Sequence, residues 1–148
     1  MERHLGEHWV LPAIDDLNRP WFTSGVIQVQ ECSDCGALQH PPDEICGGCQ
    51  GGDFGWRECS GEGRIESVAV VHQAVHPVLK DRIPYAIVIV SLDGAPGCNA
   101  IGNVVNRDPS QIEIGQRVHA VFEEVDPGDG GDRLLVPQWE IVSPAEDD

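Results

Sequence analysis

Basic residues are scarce in this 148-residue chain: nine Lys and Arg stand against 25 Asp and Glu, for a formal charge of −16. Nucleic-acid binding rests mainly on neutralising phosphates with Lys and Arg, so this balance disfavours that class. A single tyrosine, Tyr85, also leaves little for bases to stack on. Long apolar runs are missing: nothing approaches the roughly 20 residues of a membrane-crossing helix. Residues 1–10 carry charges and no apolar run, so no signal peptide is read and a cytoplasmic location is the expectation. Gly-x-Gly-x-x-Gly, phosphate-binding and Gly-x-Ser-x-Gly motifs are absent, as are internal repeats.

What is present is sulfur in pairs. Cys32-Ser33-Asp34-Cys35-Gly36 and Cys46-Gly47-Gly48-Cys49 form two Cys-x-x-Cys turns. Gly36, Gly47 and Gly48 supply the left-handed backbone freedom that such turns often need. Four soft ligands in two pairs suit tetrahedral zinc, with iron as the rival. Two disulfides or free thiols are the alternative, but paired spacing in a chain expected to be intracellular favours a metal. A four-sulfur site is closed, so one structural zinc ion is expected. Cys59 and Cys98 stand alone and read as buried, inert thiols.

Composition divides the chain into a helical arm (1–25), a metal module (26–56) and a strand-rich region with an acidic tail (57–148). In the arm, Asn18 is placed to cap a short helix with Pro20 in its first turn and Gly25 closing it. Trp9, Trp21 and Phe22 are more aromatic surface than so short an arm buries alone. They either pack on their own domain or dock on a partner. In the third region, five runs read as strands: 63–72, 85–92, 99–105, 117–122 and 134–142. Tyr85–Leu92 is the near-continuous β-branched run of a central strand, and Pro137 marks an edge or a bulge. Asp108-Pro109-Ser110-Gln111 leaves room for one short turn between the third and fourth strands. The expectation is a mainly β fold: helical arm, zinc ribbon, then a five-stranded Greek-key barrel of the OB type, with a small β-sandwich as the alternative.

An ordered series of segments carries a resemblance: Pro20-Trp21-Phe22, both cysteine turns, Leu38-Gln39-His40-Pro41-Pro42, Ser60-Gly61-Glu62-Gly63, Val71-His72-Gln73, His76-Pro77, Ile83-Pro84-Tyr85, Ile114-Gly115 and Val121-Phe122. Together they resemble the bacterial and archaeal family that pairs a rubredoxin-like zinc ribbon with an acyl-CoA-associated OB fold. The resemblance spans almost the whole chain. It implies an accessory subunit of thiolases and thiolase-like aldolases, some of them cleaving CoA-linked steroid side chains. The catalytic partner would be a separate polypeptide, in a two-plus-two heterotetramer.

Chemistry by this chain alone has thin support. If the strand runs on to His76, His72 and His76 share a face and, with Lys80 and Arg82, offer a tentative ligand site for a thioester carbonyl or a phosphate. Alternatively, His72 ends the strand and His76 is a turn residue locked by Pro77. No companion nucleophile is visible, so no catalytic residue is assigned. An accessory subunit docking through Trp9, Trp21 and Phe22 is the leading reading. A free-standing acyl-CoA binder, with Arg64, Lys80, Arg82 and Arg107 meeting the nucleotide phosphates, is the second. A single-stranded nucleic-acid binder is the third.

Overall fold

In the computed structural model, residues 10–128 and 130–145 are described. The arm contributes one short helix, α1 (Arg19–Thr23). Pro20 sits in its first turn, and Gly25, at φ +72°, follows the terminal Ser24 in the left-handed conformation. Asn18 holds the N-cap position, but its side chain gives the helix no hydrogen bond. It turns back instead, accepting from the Asp15 amide at 2.9 Å and donating to the Ala13 carbonyl at 2.9 Å. Asp15 reciprocates by accepting from the Asn18 amide at 2.8 Å, which fixes the approach to α1.

Three short strands follow: β1 (Gln28–Cys32), β2 (Leu38–Gln39) and β3 (Phe54–Glu58). They form an antiparallel sheet with β1 in the middle. Five longer strands form a second, curled sheet: β4 (Glu62–Val71), β5 (Tyr85–Leu92), β6 (Asn99–Gly102), β7 (Gln116–Val125) and β8 (Leu134–Ala145). Their spatial order is β6-β5-β4-β7-β8, all antiparallel. The sheet closes on itself through a parallel bridge between Val104 and Trp139, leaving a half-barrel. The 3-10 turn Pro109–Gln111 occupies the short connector, capped reciprocally by Asp108 and Gln111.

Pro137 lies on an edge strand and pairs in register with Phe122, so the edge reading holds and no bulge is present there. The bulges fall between Ile65 and Ser67 and at the start of β7. β5 is an interior strand, paired with β6 and β4 as expected, but only one of its faces is buried. It is second from an edge, and only Ala86, Val88, Val90 and Leu92 point into the core, while Ile87 is 36% exposed. Its continuous β-branched run reflects an outer face that is apolar yet uncovered among the described residues.

One core serves arm, ribbon and barrel. Trp21, Ile27 and Val29 join Ile65, Val88, Val90, Val118, Trp139 and Ile141 in a single cluster. Close approaches depend on glycine at two rungs. A Cβ on Gly63 would stand 2.5 Å from the Ser91 carbonyl oxygen, and one on Gly102 would stand 2.9 Å from the Trp139 ring.

Candidate metal centre and surrounding surfaces

The two cysteine turns face each other at one end of the ribbon, and all four Sγ atoms lie within 4.8 Å of one another. Cys32 and Cys49 are 3.6 Å apart, as are Cys35 and Cys46. Sulfurs bound about 2.3 Å from a tetrahedral zinc lie about 3.8 Å from each other, so the set fits that ion. Cys32 and Cys46 are buried, Cys35 and Cys49 exposed.

The turns repeat one hydrogen-bond pattern. The Cys32 carbonyl accepts from Gly36 N–H and its amide donates to Ala37; the Cys46 carbonyl accepts from Gln50 N–H and its amide donates to Gly51. The left-handed position is Gly36 in the first turn, at φ +76°, but Gln50 in the second, at φ +62°. Gly47 and Gly48 do not take that role, contrary to the sequence expectation.

Backbone N–H groups of Cys49 and Gly48 pull the Cys46 thiol down to about 7. The Gly51 N–H lowers Cys49, but the thiols of Cys32 and Cys35 outweigh it and push Cys49 up to about 12. Four sulfurs this close ionise together only around a cation.

A glutamine pair braces the loop between the turns. Gln30, 2% exposed, donates to the Asp43 carbonyl at 2.8 Å and accepts from the Asp43 amide at 3.0 Å and from Gln39 at 2.6 Å. Gln39 in turn accepts from the Gly47 amide at 3.1 Å. Sequence alternation gives no hint that Gln30 is buried; the signal is its register pairing with Gln39, which only the sheet reveals.

The arm meets the ribbon at Trp21, whose indole lies 4.1 Å from the His40 ring, tilted by 33°. Trp21 is 7% exposed and part of the core, whereas Phe22 is half-buried against it. Trp9 lies outside the described residues. Burial lowers His40 to about 4, so it is neutral at physiological pH. Asn18, Trp21, Phe22, His40, Pro41, Pro42 and the β6 residues Asn99 and Ile101 line an open cavity of about 350 Å³.

The loop between β4 and β5 carries His72, His76, Lys80 and Arg82, all exposed. β4 ends at Val71, so His72 and His76 lie in the loop beyond it and do not share a strand, which the shared-face expectation requires. His76 instead caps the 3-10 turn Pro77–Leu79, its Nδ1 accepting from the Val78 amide at 3.3 Å. Arg82 lines a cleft of about 330 Å³ together with Tyr85, Arg107 and Asp81. His119 and Glu140, a register pair of β7 and β8, are 3.2 Å apart and half-exposed. Cys59 is half-buried and Cys98 buried, and burial raises both thiols, so neither is an activated nucleophile. No helix among the described residues is long and apolar enough to cross a membrane.

A closed four-sulfur ribbon joined to a curled five-strand sheet defines a zinc-ribbon and OB-fold protein. Residues 24–55 match the family described as ChsH2, rubredoxin-like zinc ribbon domain, and residues 56–123 the one described as ChsH2, C-terminal OB-fold domain. The chain belongs to this ChsH2 or DUF35 family. It is 34% identical over 102 residues to a DUF35 domain-containing scaffold protein of Methanocaldococcus jannaschii, covering 68% of this chain and 70% of the relative. It is 32% identical over 139 residues to a probable enoyl-CoA hydratase alpha subunit of Thermomonospora curvata, covering 92% of this chain and 41% of that protein. A solved chain described as Ltp2-ChsH2(DUF35) aldolase superposes with a TM-score of 0.72 at 30% identity, covering 88% of this chain and 98% of that one. With this family comes the zinc: the four cysteines hold one structural ion.

Proposed function

We propose that this chain is a non-catalytic accessory subunit. It binds and stabilises a thiolase-like enzyme, either a thiolase or a CoA-thioester aldolase, and helps form that enzyme's acyl-CoA site. The observation that carries this reading is the likeness to a chain of an Ltp2-ChsH2(DUF35) aldolase, 98% of which this chain covers. The scaffold description of the methanogen relative points the same way. The chemistry agrees, because a four-sulfur zinc has no open position for substrate, and no positioned nucleophile and base are found among the described residues. A steroid-side-chain thioester is the substrate class that the family resemblance favours, and a two-plus-two heterotetramer the assembly. Affinity capture of the tagged chain from its own cells, with mass spectrometry of what stays bound, tests the proposal. A stoichiometric thiolase-like protein is expected. A chain that elutes alone contradicts it.

A second reading, a free-standing acyl-CoA binder, draws on the cleft between Arg82 and Arg107. Two guanidinium groups at one cleft suit phosphate oxygens. Calorimetry with CoA and an acyl-CoA decides it: saturable heat supports the reading, and none at millimolar ligand ends it.

A further inference from the structure

We infer that the partner enzyme docks by adding an extended segment to the free edge of β6, seating an apolar side chain in the cavity beside Trp21 and His40. This rests on the accessory-subunit reading and says where and how the partner attaches.

The register fixes which backbone groups are available. The Leu92 amide donates to the Cys98 carbonyl, and the same ladder pairs Val90 with Ala100 and Val88 with Gly102. Residues 98, 100 and 102 therefore aim their backbone groups at β5, and 99, 101, 103 and 105 aim theirs the other way. The far end of that outward row is taken: the Asn103 carbonyl accepts from Trp139 N–H and the Val105 amide donates to the Trp139 carbonyl, each at 2.9 Å. Asn99 and Ile101 are left with outward N–H and C=O groups that pair with no strand among the described residues.

These same two residues line the cavity. Ile101 is 71% exposed and continues across the outer face to its register partner Ile89 and on to the exposed Ile87. An unprotected edge, an apolar cavity and a bare apolar face thus meet at one place, the combination that accepts an added strand.

Charge selects the occupant. Among the described residues no Lys or Arg lines the cavity; Asp15, Asp16, Asp43 and Glu44 are exposed and near the lining residues Asn18 and Pro42 in sequence, while Arg19, next to Asn18, is paired with Asp132. The fitting segment is apolar at its centre and basic at its flanks. A second copy of this chain, at −16, is repelled from such an edge.

The test compares the wild-type chain with Ile101→Pro, Ile101→Lys and a control, Ile114→Lys, which changes another exposed apolar residue, away from the edge. Because the Ile101 N–H faces away from β5, proline there removes the docking donor and no internal ladder bond. Each tagged chain is used to capture the thiolase-like subunit from its own cells, melting temperature is recorded, and amide exchange at Asn99 and Ile101 is measured with and without that subunit. Expected is a loss of captured subunit of about tenfold or more for both Ile101 variants, each still folded, with Ile114→Lys unchanged. Exchange at the two amides slows about 100-fold in the wild-type complex. Equal capture by all four chains, or rapid exchange in the complex, overturns the inference and leaves the accessory-subunit reading standing. Wild-type capture of no thiolase-like subunit defeats that reading and the inference with it. Slow exchange of both amides in the isolated chain, growing with its concentration, assigns the edge to a second copy and contradicts the proposed occupant.

Discussion

His40 shows how one side chain ties arm and ribbon together and leaves a measurable trace. Burial against Trp21 holds it near 4, well below the usual 6.5, so the folded chain resists a proton that the unfolded chain accepts. The associated stability is therefore complete above about pH 6.5 and drains away as pH falls toward 4, by an amount on the order of 3 kcal/mol. Urea unfolding at a series of pH values should show that slope, and His40→Leu should flatten it; an unchanged slope would place the titration elsewhere. Glycine rungs offer a second trace. Gly63→Ala drives a methyl group into the Ser91 carbonyl and Val90, both fixed by the β4–β5 ladder. A loss of about 2 kcal/mol is expected, read as a melting point lower by about 5–8 °C. The acidic loop tip at Gly128, where a Cβ meets nothing within 4 Å, provides the contrast, although its positive φ still strains an alanine there.

At the scale of elements, the ribbon depends on its ion. Its three strands are too few and too short to hold without metal, although Ile27 and Val29 anchor β1 in the common core. Cys32→Ala should abolish stoichiometric zinc and lower the melting point, while amides of β5 and β7 stay protected; unchanged zinc would remove Cys32 from the ligand set. The metal assignment was legible in sequence because two Cys-x-x-Cys turns admit few chemistries. The strands were legible too: Tyr85–Leu92 is β5 residue for residue, since its β-branched run is bounded by turn residues on both sides. Less legible were features that depend on partners distant in sequence. Gln50 takes a left-handed angle that glycine neighbours appeared to claim, because the hydrogen-bond pattern around Cys46 sets the turn. Gln30 is buried because Asp43 and Gln39 satisfy it, and single-strand alternation cannot register that. His72 and His76 share no strand because β4 ends at Val71, before both of them.

The molecule as a whole combines a core shared by three regions with a surface that is strongly acidic and, at β6, unfinished. The shared core makes arm, ribbon and barrel one support, and the outer face of β5 and β6, where Ile87 and Ile101 are exposed, is uncovered among the described residues. On the accessory-subunit reading, such a body acts by holding another. Reconstitution tests this most directly: the captured thiolase-like subunit is produced alone and together with this chain, and its yield, melting temperature and acyl-CoA turnover are compared. The prediction is an unstable, weakly active enzyme alone and a stable, active one in the complex. A partner equally stable and active without this chain would contradict it.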